Sequence, residues 1–158
     1  MKFHDAVTAL ALTASIAGAQ AAQPDPNDPR AVLHGGLREV GTWVEKAAEL
    51  VPDDKYAYKP TASVRSFGQL AAHVADGMNW YCASAATGKQ AEWSDAVEKG
   101  PTDKATVTAA LKKAHANCHA ATNAGQLRAL MQNLAHTNLH YGNMITYLRM
   151  MGITPPSS

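Results

Sequence analysis

Apolar residues recur at intervals of three and four positions in four separate segments of the chain, and this spacing constrains the fold more than any other feature. Such spacing collects apolar side chains on one face of a helix, whereas a half-buried strand requires apolar and polar residues to alternate. No stretch of the sequence alternates for long enough to predict a strand, and the helix formers alanine, leucine and methionine are common. The sequence therefore predicts an all-α fold.

Capping residues and helix breakers give the bounds of the four predicted helices. The first is expected to begin after an N-cap at Asp28 and to end at Pro52. Ser66 and Gln69 form a capping box at the start of the second helix, and Gly88 ends it.

The third helix is expected from about Asp103 to Thr122, where Asn123 and Gly125 tolerate the left-handed conformation that ends helices. The fourth begins at Leu127 and is stopped by Gly152 and Pro155. Four amphipathic helices joined by short connections predict an antiparallel four-helix bundle that occupies residues 28–158 as one domain.

The first 27 residues differ from the predicted bundle in composition. Lys2, an apolar run over residues 7–18 and the small-x-small triplet Ala19-Gln20-Ala21 are typical of a signal peptide over residues 1–21. The proline-rich residues 22–27 then predict an extended linker. We expect export, to the periplasm, with no membrane anchor after cleavage, because the apolar run is too short to span a bilayer. The alternative interpretation of this segment is a disordered or tag-like tail.

The net charge argues against a polyanionic partner. The chain carries +1, and removing residues 1–21 takes away one charge of each sign, Lys2 and Asp5, so the charge of the remainder is unchanged. No cluster of Lys and Arg is interleaved with aromatic residues in the sequence. Nucleic-acid binding is therefore not expected.

His136 and His140 lie four residues apart beside the apolar stripe of the predicted fourth helix. That spacing puts two imidazoles on one helix face, where they can bind the same divalent cation if a third ligand comes from elsewhere. His73 flanks the stripe of the second helix, where Gly77 leaves space beside it and Asp76 could support or occasionally join the site. The spacing leaves two alternatives open: a three-histidine metal site, or three histidines satisfied by ordinary hydrogen bonds.

Two other groups of residues have less definite interpretations. His115 and His119 repeat the four-residue spacing on the third helix but share a face with polar residues, so we expect a solvated face, and His34 is expected on the surface. Cys82 and Cys118 are either one disulfide of an exported protein or two small buried residues.

Two separated motifs of the chain resemble the DinB-like family, and in particular its small exported members. "LVPDDKYAYKPTASVRSFGQLAAHVAD" is similar to the stretch between that family's first two helices and places its first metal histidine on His73. "AHTNLHYGNMITYLRMMGITPPSS" is similar to the C-terminal motif, whose two histidines fall on His136 and His140. The pair Cys82 and Cys118 also resembles a feature of the exported members. The resemblance implies a four-helix bundle with a three-histidine metal site.

The resemblance also implies candidate functions. The family includes metal-dependent enzymes that use low-molecular-weight thiols, and a divalent ion, zinc or nickel, could activate a bound thiol or water against a small-molecule substrate. The alternatives are a non-catalytic binding or structural protein stabilised by its metal, and a metal-free bundle held by the cysteine pair. A homodimer through an apolar helix face would also be consistent with such a bundle.

Candidates for lining the pocket surround the predicted ligands. Two departures from the family pattern bear on them: Leu139 stands where related chains usually have an acidic residue, and the connector after Thr122 is short. We expect Leu139 on the polar face of its helix, so that this departure removes no ligand. Each of these pocket candidates could instead pack in the core, and for Tyr141 core packing is the preferred interpretation. The candidates are Trp80, Tyr141, Met144 and Tyr147.

Overall fold

The computed structural model describes residues 25, 27–122 and 126–158. Within those residues the chain forms four helices and no strand: α1 (Pro29–Leu50), α2 (Phe67–Thr87), α3 (Lys104–Thr122) and α4 (Leu127–Met150). The predicted all-α four-helix bundle is thereby confirmed. The predicted signal peptide, four of the six residues of the predicted linker and the predicted end signals Asn123 and Gly125 lie outside the described residues. None of the described helices has the length and apolarity needed to cross a bilayer.

Local side-chain chemistry sets the ends of the first two helices. The Asp28 side chain accepts a hydrogen bond from the Arg30 amide at the start of α1. The capping box at α2 is complete, because Ser66 Oγ accepts from the Gln69 amide and the Gln69 side chain accepts from the Ser66 amide. Gly88 ends α2 with φ of 71°, a left-handed conformation that glycine adopts without a steric penalty.

The helices pack in a square in which α1 lies diagonally opposite α2, and α3 lies diagonally opposite α4. α2 packs against both α3 and α4, and α1 packs against the same two helices while hardly touching α2. The large apolar side chains meet in the middle of this square. Phe67, Leu111, Leu130, Met144 and Leu148 are its largest fully buried side chains.

The four packed pairs run in two different relative directions. Gly77 of α2 faces His136 of α4, while Ala85 at the end of α2 bonds Gln126 at the start of α4, so this pair is antiparallel. In contrast, Cys82 late in α2 is joined to Cys118 late in α3, so α2 and α3 run parallel.

The other two pairs follow the same division. On α1, Gly36 contacts Leu134 and Trp43 stacks on Tyr141, so α1 and α4 run parallel. Contacts of α1 with α3 run in opposite order, with Glu45 reaching His115 and Glu49 reaching Lys112. The predicted antiparallel arrangement therefore holds for α1 with α3 and α2 with α4.

A long crossover connects the two parallel helices. Residues 88–103 return the chain from the end of α2 to its start, where Thr102 contacts Gly68. A parallel pair needs such a connection, since a short turn can only join antiparallel neighbours. The crossover passes along the side of α2 that carries His73, and this course determines what surrounds that histidine.

Candidate metal centre

His73, His136 and His140 come together between α2 and α4. Their ring centroids are 5.3 Å apart for His73 and His136, 4.8 Å for His73 and His140, and 4.5 Å for His136 and His140. One ring nitrogen from each lies within 4.8 Å of the others. Two histidine nitrogens on a tetrahedral zinc ion lie about 3.3 Å apart, and the Nε2 atoms of His73 and His136 are 3.4 Å apart.

A glycine on α2 makes room for this cluster. A Cβ placed on Gly77 would overlap the ring of His136, coming within 2.7 Å of Nδ1 and closer still to Cε1. The sequence predicts that the space at Gly77 lies beside His73, whereas in the structure His136 of the opposite helix fills it. The antiparallel pair α2 and α4 thus approaches closely enough for imidazoles from both helices to meet.

The crossover supplies a carboxylate, that of Glu98, to His73. Glu98 is not among the residues that the sequence singles out. Glu98 Oε2 lies 2.9 Å from His73 Nδ1, and Arg65 donates to both Glu98 oxygens at 2.6 and 3.3 Å. Burial raises the pKa of Glu98, but the hydrogen bond and charge of Arg65, with His73, outweigh it and lower that pKa overall. An ionised Glu98 accepts a hydrogen bond from His73 Nδ1–H, which leaves the Nε2 lone pair facing the other two histidines.

Asp76 holds this carboxylate in place and does not belong to the cluster. Its two oxygens accept hydrogen bonds from the backbone amides of Val97 at 3.1 Å and Glu98 at 2.9 Å. Burial raises the pKa of Asp76, while these two amide bonds oppose the rise. With both oxygens occupied, Asp76 fixes the crossover to α2 at the residue that contacts His73.

The two histidines of α4 are neutral and incompletely satisfied. Burial lowers the pKa of His136 to about 4, with the charges of His140 and His73 adding to the effect. Burial likewise lowers the pKa of His140 to about 4, assisted by His73 and Arg65 and opposed by Glu98. Nδ1 of each ring is buried without a hydrogen-bond partner. Neutral imidazoles with unused lone pairs suit a divalent cation, so the residues present fit such an ion.

Aromatic side chains border the cluster on two sides. The Trp93 ring, on the crossover, is 5.8 Å from the His73 ring, and the Tyr81 ring is 5.6 Å from the His136 ring. Trp80 lies between these two borders, 4.7 Å from Tyr81 and 5.6 Å from Trp93. Its indole nitrogen donates to the Ala91 carbonyl at 2.7 Å, which ties the crossover to α2.

The other pocket candidates lie in the core. Met144 is fully buried, and Tyr147 is buried with its hydroxyl donating to the Arg65 carbonyl at 2.8 Å. Tyr141 is buried and stacks on Trp43, which is the core packing expected for it. Leu139 is 65% exposed, as its predicted place on the polar face of α4 requires.

The prediction of a solvated face for the second histidine pair is wrong for His115. His119 is exposed, but the His115 side chain is only 12% exposed, with Nδ1 2.7 Å from Glu45 Oε1. Its ring lies against Gly41 of α1, where a Cβ would overlap it. The absence of a side chain at Gly41 lets α1 approach α3 and enclose the imidazole. His34, expected on the surface, is partly buried beside this pair.

Cys82 and Cys118 form a disulfide between α2 and α3, with their Cα atoms 5.1 Å apart. The amide of Asn133 on α4 approaches both sulfurs, at 3.2 and 3.4 Å. Thr137, one turn further along α4, donates to the Asn133 carbonyl oxygen at 3.2 Å. Asn133 and Thr137 are therefore hydrogen-bonded to each other and pack against the disulfide. Of the two alternatives for the cysteines, the structure shows the disulfide.

Comparison with known proteins places most of the chain in one family. A family model described as the DinB superfamily matches residues 37–154, a range that includes all three clustered histidines, Glu98 and both cysteines. A comparison with curated proteins finds no significant match.

Proposed function

This chain belongs to the DinB superfamily, and we propose that it binds one divalent metal ion through His73, His136 and His140. The observation that carries the proposal is the approach of three ring nitrogens to within 4.8 Å of one another in a partly buried cluster. The lowered pKa values of His136 and His140 support it, because neutral imidazole is the form that binds metal. The Glu98 contact supports it too, since it directs the Nε2 lone pair of His73 into the cluster.

We propose zinc or nickel as the ion. Imidazole nitrogen suits both, while an oxygen-rich site would favour magnesium or calcium. The 3.4 Å separation of the two Nε2 atoms is close to that expected on tetrahedral zinc. Zinc is therefore the first ion to test.

The proposed activity is that of a metal-dependent enzyme, of the thiol-transferase or hydrolase type, acting on a small electrophile. Three protein ligands leave a coordination position for a further ligand, and the ion there would lower the pKa of a bound thiol or water. Glu98 orients His73 and holds the proton on its Nδ1. The rings of Trp93 and Tyr81 border the cluster on two sides.

A non-catalytic role is the second candidate. The cluster joins residues of α2 and α4, which otherwise meet without a covalent link among the described residues. A bound ion would clamp this pair in the way that the disulfide clamps α2 to α3. This candidate predicts a large stabilisation by metal without turnover.

We also propose that the protein is exported to an oxidising compartment such as the periplasm. The disulfide supports this proposal, because cysteine pairs persist in oxidising compartments and are rare in the cytosol. The signal-peptide pattern over residues 1–21 agrees with it.

Elemental analysis of protein purified without chelators tests the metal proposal. The wild type should carry one zinc or nickel per chain, His140→Ala should lose it, and His119→Ala should keep it. The His119 variant is the matched control, since it removes a histidine of the other four-residue pair. Equal metal in all three proteins, or a wild type that cannot be loaded with either ion, would overturn the proposal.

A thermal titration with metal, followed by assays, separates the two candidate functions. Tight binding stabilises the folded state by about 4 kcal/mol when free metal is 1,000-fold above Kd. Both candidates expect this gain. Only the enzyme expects metal-dependent reaction of a small electrophile with a thiol or water, lost in His140→Ala.

A further inference from the structure

A cavity lined by both aromatic and polar side chains lies next to the histidine cluster, between the end of α2 and the start of α4. Its volume is about 290 Å³, at the small end of the range for ligand pockets, which fits a compact metabolite better than a nucleotide. Trp80 and Tyr81 of α2 form an aromatic wall. The polar residues that line it include Lys89, Gln126, Arg128 and Gln132.

The charge lining this cavity is of one sign. Lys89 and Arg128 contribute two cations, and no acidic residue is among its lining residues. Neither cation forms an ion pair with any residue in the described part of the chain. The first turn of α4 adds to the positive potential, since it contains no acidic residue and its N-cap, Gln126, makes no side-chain cap bond.

The cavity and the histidine cluster share a wall. Tyr81 lines the cavity, and its ring is 5.6 Å from that of His136. Trp80 lines the cavity and contacts Trp93, which in turn lies beside His73. The cavity and the cluster are therefore adjacent sites, separated by the rings of Trp80 and Tyr81.

We propose that this cavity binds the oxyanion group of a small organic ligand, a carboxylate in the first instance, next to the histidine cluster. Arg128 offers a planar fork of donors to such a group, Lys89 adds a second charge, and the glutamine amides add neutral donors. Trp80 provides an apolar surface for the body of the ligand. The anion site is argued from the cavity and its two cations and does not depend on the proposed metal site.

The test is a calorimetric titration with 3-phenylpropionate, beside its neutral amide 3-phenylpropionamide. Zinc-loaded wild type should bind the acid saturably and the amide at least tenfold more weakly. The double variant Lys89→Gln/Arg128→Gln should bind the acid at least tenfold more weakly than wild type. Arg149→Gln removes an exposed arginine from the far end of the same helix and should leave the affinity unchanged.

Three results would overturn the anion site. One is equal affinity for the acid in wild type and in the double variant, and another is equal affinity for acid and amide. The third is the absence of acid binding at millimolar concentration to protein shown to contain zinc, a result that would leave the metal proposal intact.

Titration of metal-free His140→Ala separates this proposal from the metal site. Acid binding that persists there and still depends on Arg128 supports the cavity even if the metal proposal fails. Acid binding that is lost in His140→Ala but unaffected by Lys89→Gln/Arg128→Gln would mean that the carboxylate binds the ion alone, which refutes the cavity proposal. Inorganic phosphate, titrated in parallel, identifies the ligand's anionic group as a phosphoryl group if it binds more tightly than the acid.

Discussion

The ring of His136 occupies the space that a side chain on Gly77 would fill. A Cβ at position 77 would lie 2.7 Å from Nδ1 of the imidazole, well inside van der Waals contact. The ring cannot easily move aside, because Tyr81 and His140 pack on it at centroid distances of 5.6 and 4.5 Å. The glycine is therefore a structural requirement of the histidine cluster and not of the helix that contains it.

Gly77→Ala should weaken metal binding at least tenfold without unfolding α2. Alanine is a better helix former than glycine by about 1 kcal/mol, so a loss of affinity can be assigned to the displaced His136 ring. Zinc affinity measured in competition with a chelator gives the result.

Gly142→Ala is the matched control for Gly77→Ala. A Cβ at position 142 on α4 would meet nothing within 4 Å, so we expect unchanged zinc affinity and a gain of up to about 1 kcal/mol in unfolding free energy. If both variants bind zinc as the wild type does, His136 is not a ligand in the observed position.

Glu98→Gln should lower metal affinity by about 10- to 100-fold, the usual effect of removing a carboxylate that orients a ligand histidine. Glutamine keeps the size of the side chain but removes the negative charge that contacts both His73 and Arg65. Glu92→Gln changes an exposed residue of the same crossover and should have no effect. Zinc titration of the three proteins decides the matter, and equal affinities would show that Glu98 does not orient the ligand.

The metal-free protein should lose stability as the pH falls from about 6.5 to 4. In the unfolded chain a histidine takes up its proton near pH 6.5, whereas burial holds the pKa of His136 and His140 at about 4 in the folded state. Between these values the unfolded state binds more protons, so acidification favours unfolding. Urea unfolding at pH 7 and pH 5 measures the effect.

The double variant His136→Gln/His140→Gln identifies the source of this pH dependence. It should show a smaller loss of unfolding free energy between pH 7 and pH 5 than the wild type does. His119 remains in both proteins, and its contribution, from a pKa that burial also lowers, cancels in the comparison. An unchanged loss would place the responsible groups outside the cluster.

Removing the disulfide should cost about 3–4 kcal/mol of unfolding free energy. The bridge closes a loop of 36 residues, and the loss of entropy in the unfolded chain for that length gives this figure. Cys82→Ala/Cys118→Ala, compared with the wild type by urea unfolding, provides the measurement. Wild type treated with a reductant should match the variant, and a difference below about 1 kcal/mol would show that the bridge contributes little.

The sequence predicts the four helices well because their ends depend on local patterns. The capping box at Ser66 and the left-handed glycine at Gly88 are set by neighbours within a few residues, and the structure places the helix ends there. The positions of His73, His136 and His140 beside apolar stripes leave two alternatives open, and the resemblance to the DinB-like family favours the cluster that the structure shows.

The surroundings of the histidines are not predictable in the same way. Glu98 lies in a polar segment without periodicity, and nothing near it in sequence indicates a contact with His73. That contact exists because α2 and α3 run parallel, which forces the connection back along α2. The burial of His115 is unpredictable for a related reason. Gly41 makes room for the His115 ring only because α1 packs against α3, and nothing near His115 in sequence indicates that contact.

The disulfide has a consequence for the crossover between α2 and α3. Cys82 and Cys118 flank that segment in sequence, so the bond turns the chain between them into a covalent ring that contains Glu98 and Trp93. A single proteolytic cut within residues 88–103 would open the ring without separating the two pieces. The nicked protein would migrate as one molecule until a reductant releases its fragments, and the carboxylate facing His73 would remain tethered to the bundle on one side of the cut.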